Sequence, residues 1–195
     1  MSTASSKDVP RFTAEQYLAL ERKAEMKSEF FDGFVEAMAG ASRAHGLISL
    51  NLASQIHGLF KDRACEVYSS DMRVWVPAAR SYNYPDVVAV CGKPRFQDGE
   101  FDTLLNPTMI VEVLSASTER KDRGKKFTGY RSLDTLREYV LIDQEQVLVE
   151  HYDRQGDRWV LTTLERLDDR LRLGSIDCEI PLAEIYARVI PAPEA

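Results

Sequence analysis

Asp86 opens the apolar run Tyr84-Pro85-Asp86-Val87-Val88-Ala89-Val90, and Glu112 interrupts a second, Thr108-Met109-Ile110-Val111-Glu112-Val113-Leu114. An ionised carboxylate in a β-branched strand is costly to desolvate unless it is paired or holds a metal. Each alone reads as a strand-end residue, solvated or paired with an arginine. Two on successive strands, with a lysine-bearing helix directly after, favour one shared site. Pro85 fits a strand start, where the missing N–H removes one ladder donor. A divalent cation held by such carboxylates would neutralise the charge that builds on a phosphodiester during hydrolysis, and would acidify a bound water. Hard oxygen ligands and the lack of a Cys/His pairing favour Mg²⁺ or Mn²⁺ over Zn²⁺.

The lysine comes from a basic run. Arg120, Lys121, Arg123, Lys125 and Lys126 fall within seven residues. A charge run is usually a solvated helix face, but this one follows the Glu112 strand directly. Its expected role is nucleic-acid contact by Arg120, Lys121, Arg123 and Lys125. Asp122, Lys126 and Tyr130 are spaced i, i+4, i+8 and share a helix face. From that face a long ammonium at Lys126 could reach the carboxylates, while Lys125 points about a quarter-turn away. The plainer alternative is a surface salt bridge with Asp122, worth only about 0.3–0.5 kcal/mol. The residues alone leave those two readings even.

Among other candidates, His45 precedes Ile48 and Leu52 by three and seven residues, hence on an inward helix face. A lone histidine there is more often a hydrogen-bonded core residue than a base. Glu29 and Asp71 are extra ligands, partners of ligands or polar turn groups. His57 and His151 read as surface residues, and Trp75 and Trp159 as packing.

The elements that must position these residues can be traced in order. Thr13 with Gln16 forms a capping box for a helix to about Lys27. Asp32-Gly33 is a two-residue turn between strands over Phe30–Met38. Ser42 caps a helix whose apolar stripe is Ile48, Leu52, Ile56, Leu59 and Phe60. A strand is expected from Val67 to Val76, then the two carboxylate strands, and a third helix from Ser117 or Thr118 to about Leu136. A buried strand, Tyr139–Ile142, and a hairpin, Val147–Tyr152 with Trp159–Leu164, follow; Pro181 starts a last short helix. The pattern is α/β with mixed α+β character: a central mixed sheet flanked by helices, with extra N-terminal and C-terminal hairpins.

The 195 residues are 44% hydrophobic and 29% charged, which suits one domain over 1–195 with a core of about 13–189 and flexible ends at 1–10 and 191–195. No signal peptide or membrane span is expected. Cys65, Cys91 and Cys178, odd in number and without a CxxC pair, read as reduced, mostly buried thiols in a cytoplasmic protein. The net charge of -6 argues against a generic nucleic-acid coat but not against an enzyme with a local basic patch.

The order of elements carrying Asp86, Glu112 and a helix lysine resembles the restriction-endonuclease-like fold, whose signature is Pro-Asp followed by Asp/Glu-x-Lys. More narrowly the chain is similar to the Uma2 family of bacterial endonucleases. The matching stretches are Glu29–Val35, His45, Ser70-Asp71-Met72-Arg73-Val74, Pro85–Val88, Glu112–Thr118, Asp122-x3-Lys126-x3-Tyr130 and Glu138-Tyr139. Leu114 stands where the common signature has lysine, and Lys126 is the matching migrated position. The resemblance implies a Mg²⁺- or Mn²⁺-dependent endonuclease acting on DNA. Asp86, Glu112 and Lys126 would be catalytic, and the metal would sit on Asp86, Glu112 and the Val113 carbonyl. Glu29, His45, Asp71, Asp122 and Tyr130 would be accessory. A homodimer is expected, because cutting both strands of a duplex generally needs two sites. The rival reading is a catalytically silent nuclease-fold module that binds nucleic acid or protein.

Overall fold

The computed structural model describes residues 11–189; the expected flexible ends lie outside them. The chain begins with α1 (Ala14–Glu21), the hairpin β1 (Ser28–Phe31) and β2 (Phe34–Ala37), and α2 (Arg43–Leu59). Six strands follow: β3 (Cys65–Ser69), β4 (Arg73–Val76), β5 (Ser81–Asn83), β6 (Val87–Cys91), β7 (Thr103–Leu104) and β8 (Met109–Leu114). A helical segment then runs in three pieces: α3 (Glu119–Lys121), a π turn (Asp122–Lys126) and α4 (Phe127–Tyr130). The rest is β9 (Glu138–Asp143), the hairpin β10 (Val149–Gln155) and β11 (Arg158–Leu164), β12 (Arg170–Leu173), β13 (Cys178–Pro181) and α5 (Leu182–Ile185).

The central sheet has the order β11-β10-β9-β8-β6-β3. Only β8 and β9 are parallel; the other neighbours are antiparallel, so the sheet is mixed as expected. Strands β6, β8 and β9 read as near-continuous apolar runs because both faces are covered. On one face Val87, Ala89, Met109, Val111 and Val140 pack beneath the α2 stripe of Ile48, Leu52 and Ile56. On the other, Val88, Val90, Ile110 and Leu114 pack with Tyr130, Leu133 and Leu136. A second sheet, β2-β1-β5-β4-β7, carries α1 through Tyr17, Leu18, Phe30 and Tyr82.

Thr13 and Gln16 form the capping box and Ser42 caps α2, each as the sequence indicates. Asp32 and Gly33 both have positive φ, 46° and 99°, which a tight hairpin turn of this kind requires. Several expectations need correction. α1 stops at Glu21, six residues before Lys27. Val67–Val76 is not one strand: the chain turns at Ser70-Asp71, so β3 joins the central sheet and β4 the second. The third helix is broken by the π turn and ends at Tyr130. The short strands β5 and β7 carry too few residues for alternation to show, whereas the pair β12–β13, whose residues alternate between exposed and buried, was an omission.

The cysteines also differ from expectation. Cys65 and Cys91 face each other across β3 and β6 and form a disulfide, and Cys178 is free and buried. Strand register, which linear spacing does not reveal, brings the pair together. His151 is not a free surface residue, since its Nε2 lies 3.2 Å from the buried Glu138 carboxylate. Among the described residues no helix is long and apolar enough to cross a membrane.

Candidate active site

Strands β6 and β8 pair from Ala89↔Met109 up to Val87↔Val111 and then part. Asp86 and Glu112 lie at this fork. Asp86 closes it with its side chain: Oδ2 accepts the Val113 N–H at 2.7 Å, replacing a ladder bond. Its Oδ1 lies 3.2 Å from His45 Nε2, at the first turn of α2. In a strand the N–H and C=O of one residue point to the same edge, so the Val113 carbonyl also faces the Asp86 side.

Side-chain alternation sends Glu112 to the face of Ile110 and Leu114, where the helical segment lies. There Glu112 Oε1 accepts from Lys126 Nζ at 3.2 Å and from the Tyr130 hydroxyl at 3.1 Å. Lys126 Nζ also lies 3.0 Å from Glu29 Oε1 and 3.2 Å from Asp122 Oδ1. One ammonium thus sits among three carboxylates drawn from β1, β8 and its own helix. The π turn is what brings Asp122 and Lys126 inward; they are its two buried residues, while Gly124 and Lys125 are exposed. Such wide turns recur at functional sites.

Burial and charge set the protonation here. Burial pushes Glu112 well above the usual carboxylate range, and Asp122, Asp86 and Glu29 push the same way against Lys126. Asp122 is raised as well, burial outweighing the attraction of Lys126. Burial would lower the Lys126 ammonium, yet Glu112, Glu29 and Asp122 together hold it well above its ordinary value, so it stays charged. Glu29 is lowered despite burial, because Lys126 and Lys121 both face it. His45 is raised: burial works against its charged form, and the Asp86 contact overrides that.

The structure therefore brings together Asp86, Glu112, Lys126, Glu29, His45, Asp122 and Tyr130. Asp71 is apart: it is exposed at the β3–β4 turn and paired with Lys27 at 2.8 Å. Within the basic run, Lys121 is held by Glu29 and Glu36, each at 2.7 Å, and Arg123 by Glu119 at 2.8 Å and by Glu150. Lys125 lies over the Phe31 ring, and Arg120 is exposed.

A neighbouring network was not foreseen. Tyr84, two residues before Asp86, donates its hydroxyl to the buried Glu21 at 2.9 Å and accepts from Arg73 Nη1 at 2.9 Å. Its backbone N–H reaches Glu29 Oε1 at 3.2 Å. Tyr84 sits beside the Pro-Asp pair, which is the one signal of this network in the sequence. Glu21 looks like an ordinary exposed helix residue until α1 is docked.

The Uma2 family profile, described as "Putative restriction endonuclease", matches residues 14–182. The chain belongs to the Uma2 family. Two relatives in Synechocystis sp. (strain PCC 6803) are described as uncharacterized proteins, sll1609 and slr1290. The first is 43% identical over 153 residues, 78% of this chain and 86% of its own length. The second is 33% identical over 177 residues, 91% of this chain and 92% of its own. A crystal structure from Anabaena variabilis, described as "a putative nuclease belonging to DUF820", superposes with a TM-score of 0.73 at 18% identity. It covers 92% of this chain and 99% of that one, and shows that the fold is shared.

The donor set of this Uma2 chain fits a hard divalent cation. Glu112 spends only Oε1 on Lys126 and Tyr130, leaving Oε2 without a hydrogen bond among the described residues. The Asp86 carboxylate and the Val113 carbonyl edge lie at the same fork. Among the described residues no group of three or more His, Cys, Asp or Glu side chains is placed to hold a metal ion. Two carboxylates and a backbone carbonyl, with water filling the remainder, suit Mg²⁺, which keeps several waters.

Proposed function

We propose that this Uma2 chain is a Mg²⁺- or Mn²⁺-dependent endonuclease that hydrolyses phosphodiester bonds of DNA. The observation that carries the reading is the Lys126 ammonium 3.2 Å from Glu112, beside Asp86 at the β6–β8 fork. Asp86, Glu112 and the Val113 carbonyl would hold the cation, which when bound supplies charge neutralisation and an acidified water. Lys126, kept charged by its carboxylates, orients the attacking water or stabilises the phosphate charge. Tyr130 fixes the Glu112 carboxylate, and His45 does the same for Asp86. Two copies acting together would cut both strands, and light scattering with and without DNA tests for the homodimer.

The deciding assay is cleavage of plasmid DNA with Mg²⁺ and Mn²⁺ by the wild type and by Asp86→Asn and Glu112→Gln. Cleavage is expected for the wild type alone; activity that survives both substitutions would place the chemistry elsewhere. A silent nuclease-fold module is the second reading, favoured by the internal pairing of Lys121 and Arg123 with acids. Calorimetry separates the two: the enzyme binds Mn²⁺ in a manner lost in Asp86→Asn, and the silent module does not.

A further inference from the structure

Glu29 and Glu36 stand directly opposite each other on the β1–β2 hairpin. Like charges at such positions repel, and here a single ammonium relieves them. Lys121 Nζ lies 2.7 Å from Glu29 Oε2 and 2.7 Å from Glu36 Oε2. From the same strand as Glu29, the Phe31 ring receives Lys121 and Lys125, each ammonium 4.1 Å from the ring centroid. The hairpin thus takes up two of the cations that follow the Glu112 strand.

Two carboxylate oxygens at 2.7 Å from one ammonium offer it what two non-bridging oxygens of a phosphate would offer. We infer that the Glu29–Glu36 pair is an internal stand-in for a backbone phosphate, and that a polynucleotide docks by displacing Glu36 from Lys121. The inference deepens the nucleic-acid reading of the site and rests on it, but it concerns binding and not cleavage.

The two arms of the clamp differ in a way that picks out Glu36. The Glu29 side chain is 5% exposed and is also tied to Lys126 and to the Tyr84 N–H, so it stays in place. The Glu36 side chain is 50% exposed, and Lys121 is its only ion-pair partner among the described residues. Water can take over Glu36 once a phosphate takes Lys121. The exchange also explains how a chain of net charge -6 could hold a polyanion. Lys121, one cation of its basic run, is neutralised until the ligand competes for it.

The test is fluorescence anisotropy of a short labelled DNA duplex, in EDTA so that nothing is cut, titrated across a range of salt. Glu36→Gln should tighten binding roughly 2–5-fold, the scale of losing a competitor as weak as an exposed ion pair. The log–log salt dependence should stay close to that of the wild type, because the Lys121–phosphate contact is made in both proteins. Adding Lys121→Gln to Glu36→Gln should cancel the gain in affinity and flatten the slope by about 0.9, the increment for one phosphate contact. Glu165→Gln, which removes an exposed acid elsewhere, should leave the affinity unchanged. An unchanged affinity in Glu36→Gln, a gain that persists without Lys121, an equal gain in Glu165→Gln, or no DNA binding by either protein would each overturn the inference. Failure of the nuclease reading is seen separately. Tighter binding by Glu36→Gln without cleavage in Mg²⁺ supports the inference alone, whereas cleavage with no gain in Glu36→Gln removes the inference and leaves the nuclease.

Discussion

The Asp86 carboxylate accepts the backbone N–H of Val113 at 2.7 Å, so the first acid of the pair is fixed by the residue that follows the second. Asparagine at this position keeps a carbonyl acceptor for that N–H, and alanine does not. Asp86→Asn should therefore fold close to wild type while losing Mn²⁺ binding by calorimetry and roughly 10²-fold or more of cleavage. Asp86→Ala should show the same functional loss. It should also be destabilised by about 1–3 kcal/mol in chemical denaturation, the cost of an unsatisfied buried donor. Equal stability of the two variants would mean that the bond to Val113 does not hold the fork.

Glu112 gives a pH-dependent prediction. Burial and the neighbouring acids raise its folded pKa above the value of the unfolded chain. Its contribution to stability is complete below the unfolded value of about 4.3 and is lost as pH rises through the folded value. Above its folded value the buried, ionised carboxylate is destabilising. Glu112→Gln should be inactive yet more stable than wild type at pH 7 to 8, by roughly 0.5–2 kcal/mol. The difference should close as pH falls below about 4, where the wild-type carboxyl is neutral in both states. Thermal melts across pH check this, and a gap that widened on acidification would contradict the assignment.

Much of the site was legible because it breaks rules of strand composition. Asp86 and Glu112 are conspicuous as acids in apolar strands, and both lie where the sequence puts them. The i, i+4 relation of Asp122 and Lys126 foretold their shared inward direction, although a π turn and not an α-helix delivers it. Glu29 was singled out as an accessory residue through the family resemblance, but nothing local says that the β1–β2 hairpin folds back onto Lys121 and Lys126. Asp71 illustrates the opposite limit. It was offered as an extra ligand, a partner of ligands or a polar turn group, and the turn at Ser70-Asp71 leaves it exposed and paired with Lys27. Long-range register accounts for the other omissions: the Cys65–Cys91 bond and the Glu21–Tyr84–Arg73 network join residues that no spacing rule connects.

The disulfide should be seen directly by counting thiols. Denatured without reductant, the protein should expose one reactive thiol, Cys178, and after reduction three. Closing a loop across 26 positions restricts the unfolded chain. Cys91→Ser should therefore lower stability by roughly 2–4 kcal/mol under oxidising conditions and have little effect under reducing ones. Three thiols in the unreduced protein would show that the strands pair without the bond.

The Lys126 assignment makes the sharpest demands. Its ammonium is enclosed by Glu29, Glu112 and Asp122, so Lys126→Ala leaves three buried acids without their shared cation. The loss should be about 3–5 kcal/mol of stability, as for breaking a buried ion pair from one side, together with roughly 10²-fold or more of cleavage. Lys125→Ala gives up a contact with Phe31 worth about 0.5–1 kcal/mol and should leave the rate of cleavage nearly intact. Loss of folding and loss of chemistry are separated by moving the charge. Leu114 is two residues beyond Glu112 and therefore on the same face of β8, packed in the cluster that contains Tyr130. Lysine at this buried position can direct its ammonium back towards Glu112, so Leu114→Lys combined with Lys126→Ala should regain part of both stability and cleavage. Denaturation midpoints and plasmid-cleavage rates on the four proteins decide the matter. If Lys125→Ala and Lys126→Ala cost the same activity, the helix is a substrate-contact face and Lys126 has no special part in the reaction.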